Sequence, residues 1–139
     1  MPHPLVAQLD LQPHPEGGWY RETMRLPAPD GGRGLATAIL FLLEQGQRSH
    51  WHRVDADELW LWHAGAPLAL LIGAGEHVLG GDPLAGQAPQ LLVPRDQWQA
   101  AEARHGWALV SCVVTPAFDF AGFELAPPGW SPASLSRGE

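Results

Sequence analysis

Short apolar runs separated by glycine and proline dominate this chain and limit the secondary structure that it can form. The sequence contains 16 glycines and 14 prolines, and apolar runs cover residues 35–43, 67–73 and 107–115 between them. Both residues weaken helix interiors and supply turns. We therefore predict an all-β fold of roughly nine or ten short strands, as in a sandwich or barrel. One short helix is expected within residues 4–12, ended by Pro13.

The length and composition indicate one domain. With 139 residues, of which 45% are apolar and 17% charged, the chain can form a hydrophobic core and is not of the disordered type. No repeat or linker divides residues 1–139. The stretch 127–139 is rich in proline, serine and glycine, and we expect it to be a flexible tail.

The charged residues and the single cysteine exclude several functions. The net charge is −7 and all eight basic residues are arginines, so we expect neither a nucleic-acid site, nor a polybasic membrane patch, nor lysine chemistry. Cys112 lies in an apolar run and is interpreted as an inert core thiol. A chain with one cysteine, no signal sequence and no long apolar span is expected in the cytoplasm.

The most informative polar pattern is His50-Trp51-His52, followed by Glu58. Residues i and i+2 of a strand point to the same side of a sheet, so His50 and His52 are predicted to face together. A carboxylate from the next strand, Glu58, then completes a cluster that can hold a metal or move protons. Histidine suits proton transfer because its unperturbed pKa is about 6.5.

A polar strand near the N-terminus offers further ligand-binding groups. Tyr20 and Glu22 share one face, and Arg21 and Thr23 share the other. Strand alternation allows only one of these pairs to face a pocket unless a bulge intervenes, and the sequence does not decide which. Glu22 is a candidate second acid or base, and Arg21 is a candidate clamp for a carboxylate or phosphate.

Seven tryptophans in a chain of this size indicate an aromatic pocket. Trp60 and Trp62 have the same strand phase as Glu58, so they are candidate stacking surfaces, and Trp98 is a third. Gln90 and Ser111 lie on expected core strands, where an inward amide or hydroxyl could orient a ligand. Three other polar positions are interpreted as structural: Glu16 in the turn at residues 14–18, Asp119 and Cys112.

Several ordered motifs resemble a known family. Gly46, His50, His52, Glu58 and Gly65 resemble the first cupin motif, although the first gap is three residues instead of five and the gap from His52 to Glu58 is five instead of three or four. More specifically, the DUF985 (cupin-5) family is similar to HPEGGWYRET at 14–23, SHWHR at 49–53, DELW at 57–60, the segments at 79–80 and 89–90, VP at 93–94 with Trp98, and VSCVVTPAFDF at 110–120.

This resemblance covers about residues 5–126 and implies a double-stranded β-helix, the cupin jelly-roll barrel, which usually pairs as a homodimer. It also implies a likeness in architecture to sugar-nucleotide epimerases. The second cupin motif normally supplies another histidine, and the matching stretch at residues 94–99 contains none. The implied metal set is therefore His50, His52 and Glu58, which suits one divalent transition metal such as iron, manganese, zinc or nickel.

Three functions remain open from the sequence. The first is a pocket for a small polar ligand, carbohydrate-like or sugar-nucleotide-like, acting as an isomerase or epimerase. There a histidine of the His50/His52 pair removes a proton next to a carbonyl, Glu58 or Glu22 assists, and Arg21 or a metal stabilises the enolate. The second is a metal-dependent oxygenase or lyase that uses His50, His52 and Glu58. The third is a non-catalytic binding module.

Overall fold

The computed structural model describes residues 2–132, which form one short helix and eleven strands. The helix, α1, spans Pro4–Gln8. The strands are β1 (Gln12–Pro13), β2 (Trp19–Leu26), β3 (Ala36–Leu43), β4 (Arg48–Val54), β5 (Asp57–Gly65), β6 (Leu68–Ile72), β7 (Gly75–Leu79), β8 (Gln90–Val93), β9 (Gln99–Glu102), β10 (Ala108–Thr115) and β11 (Phe123–Leu125). In this part of the chain, no helix is long and apolar enough to cross a membrane.

The strands form two antiparallel sheets, which confirms the prediction of a mostly β fold. The six-stranded sheet has the order β1-β2-β3-β10-β5-β8, and the five-stranded sheet has the order β11-β4-β9-β6-β7. The central strand β10 shows why the sequence folds this way. Its residues alternate between buried and half-buried positions from Ala108 to Val114, so one face lies against the second sheet.

The apolar core fills one end of the space between the sheets. Trp60, Phe41 and Leu70 are completely buried there, together with Leu43, Leu68, Leu79, Val93, Ala101, Ala103, Ala108, Val110 and Cys112. In this cluster, residues at the end of β3 and at the start of β10 pack against residues of the five-stranded sheet. The other end of the same space carries the polar inward-facing side chains, so the two halves of the interior have different chemistry.

Two sequence expectations about the chain ends need correction. The helix ends at Gln8, earlier than expected, because Asp10 has a positive φ of 56° that breaks the helical path. The described part of the segment after Pro127 contacts the barrel: Trp130 packs on Trp98 and Trp51, with ring centroids 4.5 and 6.3 Å away. The remainder of the expected flexible tail, residues 133–139, lies outside the described residues.

Gly65, at the end of β5, lies where a side chain cannot fit. A Cβ at this position would collide with the backbone oxygen and the ring of Trp107, and φ is +92°. Gly46 has a similar φ of +85°, but no atom lies within 4 Å of the place that its Cβ would take. The two motif glycines thus share a backbone requirement, whereas only Gly65 is also enclosed.

We expect Gly65→Ala to lower the free energy of unfolding by about 2 kcal/mol more than Gly46→Ala, because both strain a positive φ but only the first also forces overpacking. Urea unfolding of the two variants measures the difference. Equal losses would mean that Trp107 moves aside without cost.

Candidate functional site

A cavity of about 930 Å³ opens at the polar end of the barrel, where β3 begins and β10 ends. Both sheets, the turn at residues 14–18, and the loops at 27–34 and 118–120 contribute to its lining. Cross-strand pairing sets the order of the inner wall: Val114 pairs with Thr37 on one side and with Glu58 on the other. All three side chains consequently face the cavity.

Strand β2 turns Tyr20 and Glu22 toward the cavity, and not Arg21 and Thr23. The register with β3 shifts between Glu22 and Met24, so that Thr23 is an extra residue in its strand. This bulge also brings Arg25 to the inner face. The sequence left both phases open, and the bulge explains why residues of both odd and even number line the wall.

Glu16 lies at the floor of the cavity, and its carboxyl group joins the turn to strand β4. Its Oε1 accepts a hydrogen bond of 2.8 Å from the Ser49 hydroxyl, and its Oε2 lies 3.3 Å from His52 Nε2. Burial raises the pKa of Glu16 to about 8, with the Ser49 hydrogen bond acting in the opposite direction. At neutral pH the carboxyl group therefore retains its proton.

His52 is held in one tautomer. Its Nδ1–H donates to the backbone oxygen of His50 at 2.7 Å, so the hydrogen is on Nδ1 and Nε2 carries the lone pair. The ring is 2% exposed, and burial lowers its pKa. Since Nε2 lies 3.3 Å from Oε2 of a protonated carboxyl group, a neutral base and a neutral acid lie side by side and carry no net charge.

His14 adds a second neutral ring beside Glu16. The backbone N–H of Glu16 donates to His14 Nδ1 at 3.1 Å, so the ring hydrogen of the neutral tautomer lies on Nε2. Burial and, to a smaller extent, the nearby His52 together lower the pKa of His14 to about 4. His14 packs edge-on against Tyr20 and Phe41, with centroids 4.5 and 5.5 Å away.

Glu58 enters the cavity from the six-stranded sheet, opposite the strand of His52. Its Oε1 accepts a hydrogen bond of 2.9 Å from Gln99 Nε2, and Gln99 Oε1 accepts one of 2.9 Å from Trp60 Nε1. An indole N–H can only donate, so it fixes the orientation of the Gln99 amide and hence of Glu58. Burial raises the pKa of Glu58 as well.

The expectation that His50 and His52 face together is wrong. Ser49 pairs with Ala101 and His52 with Gln99, so three steps along β4 match two along β9. This bulge places Ser49 and His52 on the inner face. His50 is not part of the cavity lining, and its Nε2 donates instead to the backbone oxygen of Pro127 at 2.9 Å.

Further predicted residues also lie outside the cavity lining, namely Arg21, Thr23, Trp60, Trp62, Gln90, Trp98 and Ser111. Trp60 and Trp62 do share the inward phase of Glu58, but Trp60 belongs to the apolar core and Trp62 packs against it. Ser111 sits between the buried Val110 and Cys112, so it faces outward, where His63 Nε2 contacts its hydroxyl at 2.6 Å.

Gln90 and Trp98 contact other parts of the structure instead of the cavity. Gln90 is exposed on β8, an edge strand of the six-stranded sheet. Trp98 packs between Trp130 and the Arg53 guanidinium, which lies 4.7 Å from the centre of its ring. Both residues were predicted from composition and strand position, which do not distinguish the two faces of a sheet.

The metal set implied by the resemblance, His50, His52 and Glu58, does not fit this geometry. His50 is directed at Pro127, and within residues 2–132 no group of three or more His, Cys, Asp or Glu side chains is arranged to hold a metal ion. The protein groups at the cavity floor are instead hydrogen-bonded to one another.

Comparison with known proteins identifies the fold. The model of the family described as Cupin superfamily (DUF985) matches residues 3–126. This chain belongs to that family. A protein from Shewanella oneidensis is 38% identical, with 91% of this chain and 85% of that chain covered and a TM-score of 0.83. A hypothetical protein from Leishmania major is 28% identical, with coverages of 95% and 94% and a TM-score of 0.80.

More distant structures, one of them described as having a double-stranded beta-helix domain, share this fold. KdgF from Halomonas sp. is 14% identical to this cupin, with coverages of 83% and 93% and a TM-score of 0.63, and this likeness concerns the fold alone. A search of curated proteins found no match. The comparisons thus establish the cupin barrel, and the chemistry has to be argued from the site.

Sequence reasoning missed Glu16, His14, Ser49 and Gln99. The segment at residues 14–18 contains glycines on the C-terminal side of a histidine and a glutamate, and was interpreted as a turn. The turn is real, since Gly17 N donates to the His14 oxygen at 3.0 Å. The available signal was the pair His14-x-Glu16, two titratable residues before the first long strand of the barrel.

We expect the free energy of unfolding to fall as the pH rises from about 6.5 to 8, by up to about 1.4 kcal/mol per pH unit for each proton involved. The folded state keeps the Glu16 proton up to a pKa of about 8, whereas an unfolded chain loses it near 4.5. His14 does not contribute in this range, because its folded pKa of about 4 makes it destabilising only as the pH falls below 6.5.

Urea unfolding at several pH values tests this expectation. Glu16→Gln should flatten the decline, while Glu58, whose pKa is also raised, keeps part of it. The matched control Glu124→Gln removes a carboxylate that pairs with Arg53 on the surface and should leave the slope unchanged. An identical slope in wild type and Glu16→Gln would contradict a protonated Glu16.

Proposed function

We propose that this cupin binds a small, carbohydrate-like ligand in the barrel cavity and moves a proton within it, as an isomerase or epimerase does. The observation that carries the proposal is the contact of 3.3 Å between Glu16 Oε2 and His52 Nε2 at the cavity floor. A protonated carboxyl group next to an imidazole lone pair offers an acid and a base together.

The pair can transfer two protons without leaving a net charge on the protein. The Glu16 proton passes to a ligand carbonyl oxygen, and the proton on the adjacent carbon passes to His52 Nε2. The ligand becomes an enol, while Glu16 becomes a carboxylate paired with an imidazolium. The imidazolium then returns its proton to a ligand carbon, and a ligand hydroxyl returns a proton to Glu16, which regenerates the neutral pair.

This scheme changes two roles expected from the sequence. The base is His52 alone, since His50 lies outside the lining, and Arg21 does not reach the cavity. A neutral enol needs no cationic group to stabilise it, which suits a floor built from carboxyl groups and neutral rings. Glu58, fixed by Gln99 on the opposite sheet, lies in place to hydrogen-bond a ligand hydroxyl or to exchange a proton on the other face.

Proton exchange with solvent tests the proposal. Dihydroxyacetone, glyceraldehyde and free pentoses and hexoses are incubated with the protein in deuterated water, and NMR detects deuterium at the carbon next to the carbonyl. We expect exchange with wild type, and a loss of about 100-fold or more in Glu16→Gln and His52→Gln, as for other general acids and bases.

His50→Gln is the matched control, because it changes the same residue type two positions away on the same strand but outside the cavity. It should exchange protons as wild type does. Equal losses in His50→Gln and His52→Gln would contradict the assigned roles. Saturable binding of a sugar without any exchange would replace the isomerase by a ligand-binding module.

We further propose that the protein is a homodimer formed through the outer face of the six-stranded sheet. One cross-strand row on this face is apolar from edge to edge: Met24, Ala38, Val113, Leu59 and Leu92. Leu92 is 54% exposed and Met24 36%. A continuous apolar strip of this kind favours a partner, and a two-fold axis lets a second copy cover it.

The proposed location is the cytoplasm, where the single buried Cys112 remains a thiol.

We expect wild type to sediment as a dimer and Leu92→Glu to shift it toward the monomer, because a charge would be buried in the shared strip. Analytical ultracentrifugation measures this change. Leu84→Glu is the control, since Leu84 is fully exposed and is not part of the row. A monomeric wild type would contradict the proposed assembly.

A further inference from the structure

Carboxyl groups outnumber cationic groups around the cavity. Glu16, Glu22, Glu58 and Asp119 line it, whereas Arg25 and Arg33 are the cationic side chains that the described residues contribute. The sequence contains no lysine that could add a positive charge. The balance matters because a buried anionic ligand needs a cation or several directed donors to replace its water.

Both arginines are already engaged by carboxylates. Arg25 donates to Glu22 through Nε and Nη2, at 3.1 and 2.7 Å, and to the backbone oxygen of Phe118 at 3.4 Å. Arg33 donates to Asp55 through Nη1 and Nη2, at 3.0 and 2.8 Å. In each pair the carboxylate balances the positive charge of the guanidinium at the opening of the cavity.

The floor has no cation to offer either. His14 and His52 are neutral rings, and Glu16 directs its two oxygens at Ser49 and His52. A phosphate or carboxylate placed there would find no cation to balance its charge, and would have to displace hydrogen bonds that the side chains make among themselves. An uncharged hydroxyl or carbonyl group meets no such cost.

We propose that the ligand of this cavity is uncharged: a free polyhydroxy aldehyde or ketone, and not a phosphorylated sugar or a sugar nucleotide. This inference rests on the proposed function for the class of ligand, and it removes one of the two ligand types that the sequence left open. Both arginines line the cavity with their charge already balanced by Glu22 or Asp55, so each would have to give up its carboxylate partner in order to bind an anion.

The test compares two probes with the same carbon skeleton, dihydroxyacetone and dihydroxyacetone phosphate. NMR follows the ring signals of His14 and His52 during titration with each probe. With wild type, we expect saturable shifts with dihydroxyacetone, and at least tenfold weaker binding of the phosphate.

Variants that remove the carboxylate partner of one arginine make the test more specific. Glu22→Gln removes the negative partner of Arg25 and should strengthen binding of dihydroxyacetone phosphate at least tenfold relative to binding of dihydroxyacetone. Glu124→Gln is the matched control: it removes the same charge from the protein, but it releases Arg53, which does not line the cavity. This control should bind both probes as wild type does.

The proposal is wrong if the phosphate shifts the rings of wild type at an equal or lower concentration than dihydroxyacetone does, or if dihydroxyacetone leaves both rings unchanged. It is also wrong if Glu22→Gln and Glu124→Gln bind the phosphate equally. Failure of the proposed isomerase function would give a different result from failure of the ligand proposal. The neutral probe would still bind selectively, but no ligand proton would exchange with solvent.

Discussion

The burial of the Glu16 carboxyl group is the interaction on which the rest of the site depends. The turn at residues 14–18 lies directly on β4. The approach is so close that a Cβ at Gly17 would collide with the backbone oxygen of Arg48. The backbone N–H of His50 donates to the Glu16 oxygen at 2.8 Å, so the main chain holds the turn as well. Only this close approach lets the carboxyl group reach both Ser49 and His52, which closes the floor of the barrel.

A single extra residue in β4 decides which histidine faces the cavity. Strand alternation alone places His50 and His52 on one face, and it correctly assigns Glu58 and Trp60 to a common face of β5. Between Ser49 and His52 the register shifts, so the inner face changes from odd to even positions. Bulges arise from the pairing of two strands, and one strand's sequence carries little information about its partner's register.

The sequence predicted more of the fold than of the site for the same reason. The short apolar runs between glycines and prolines, together with the family resemblance, were sufficient to predict an antiparallel barrel and most of its strands. The carboxyl group of Glu58 was found because the residue lies on β5 in the inward phase that strand alternation predicts. Glu16 was missed because its partner Ser49 lies 33 positions away, and a polar residue beside glycines has a simpler explanation as part of a turn.

The same electrostatic cost that holds the floor neutral also limits what it can bind and do. Separate charges on Glu16 and His52 would have to be buried, so both groups are neutral. A neutral acid beside a neutral base is suited to proton exchange, because Glu16 Oε2 and His52 Nε2 lie only 3.3 Å apart. An anionic ligand would add the charge that burial excludes. In the function that we propose, proton exchange with a carbonyl compound and rejection of anions are two consequences of one buried carboxyl group.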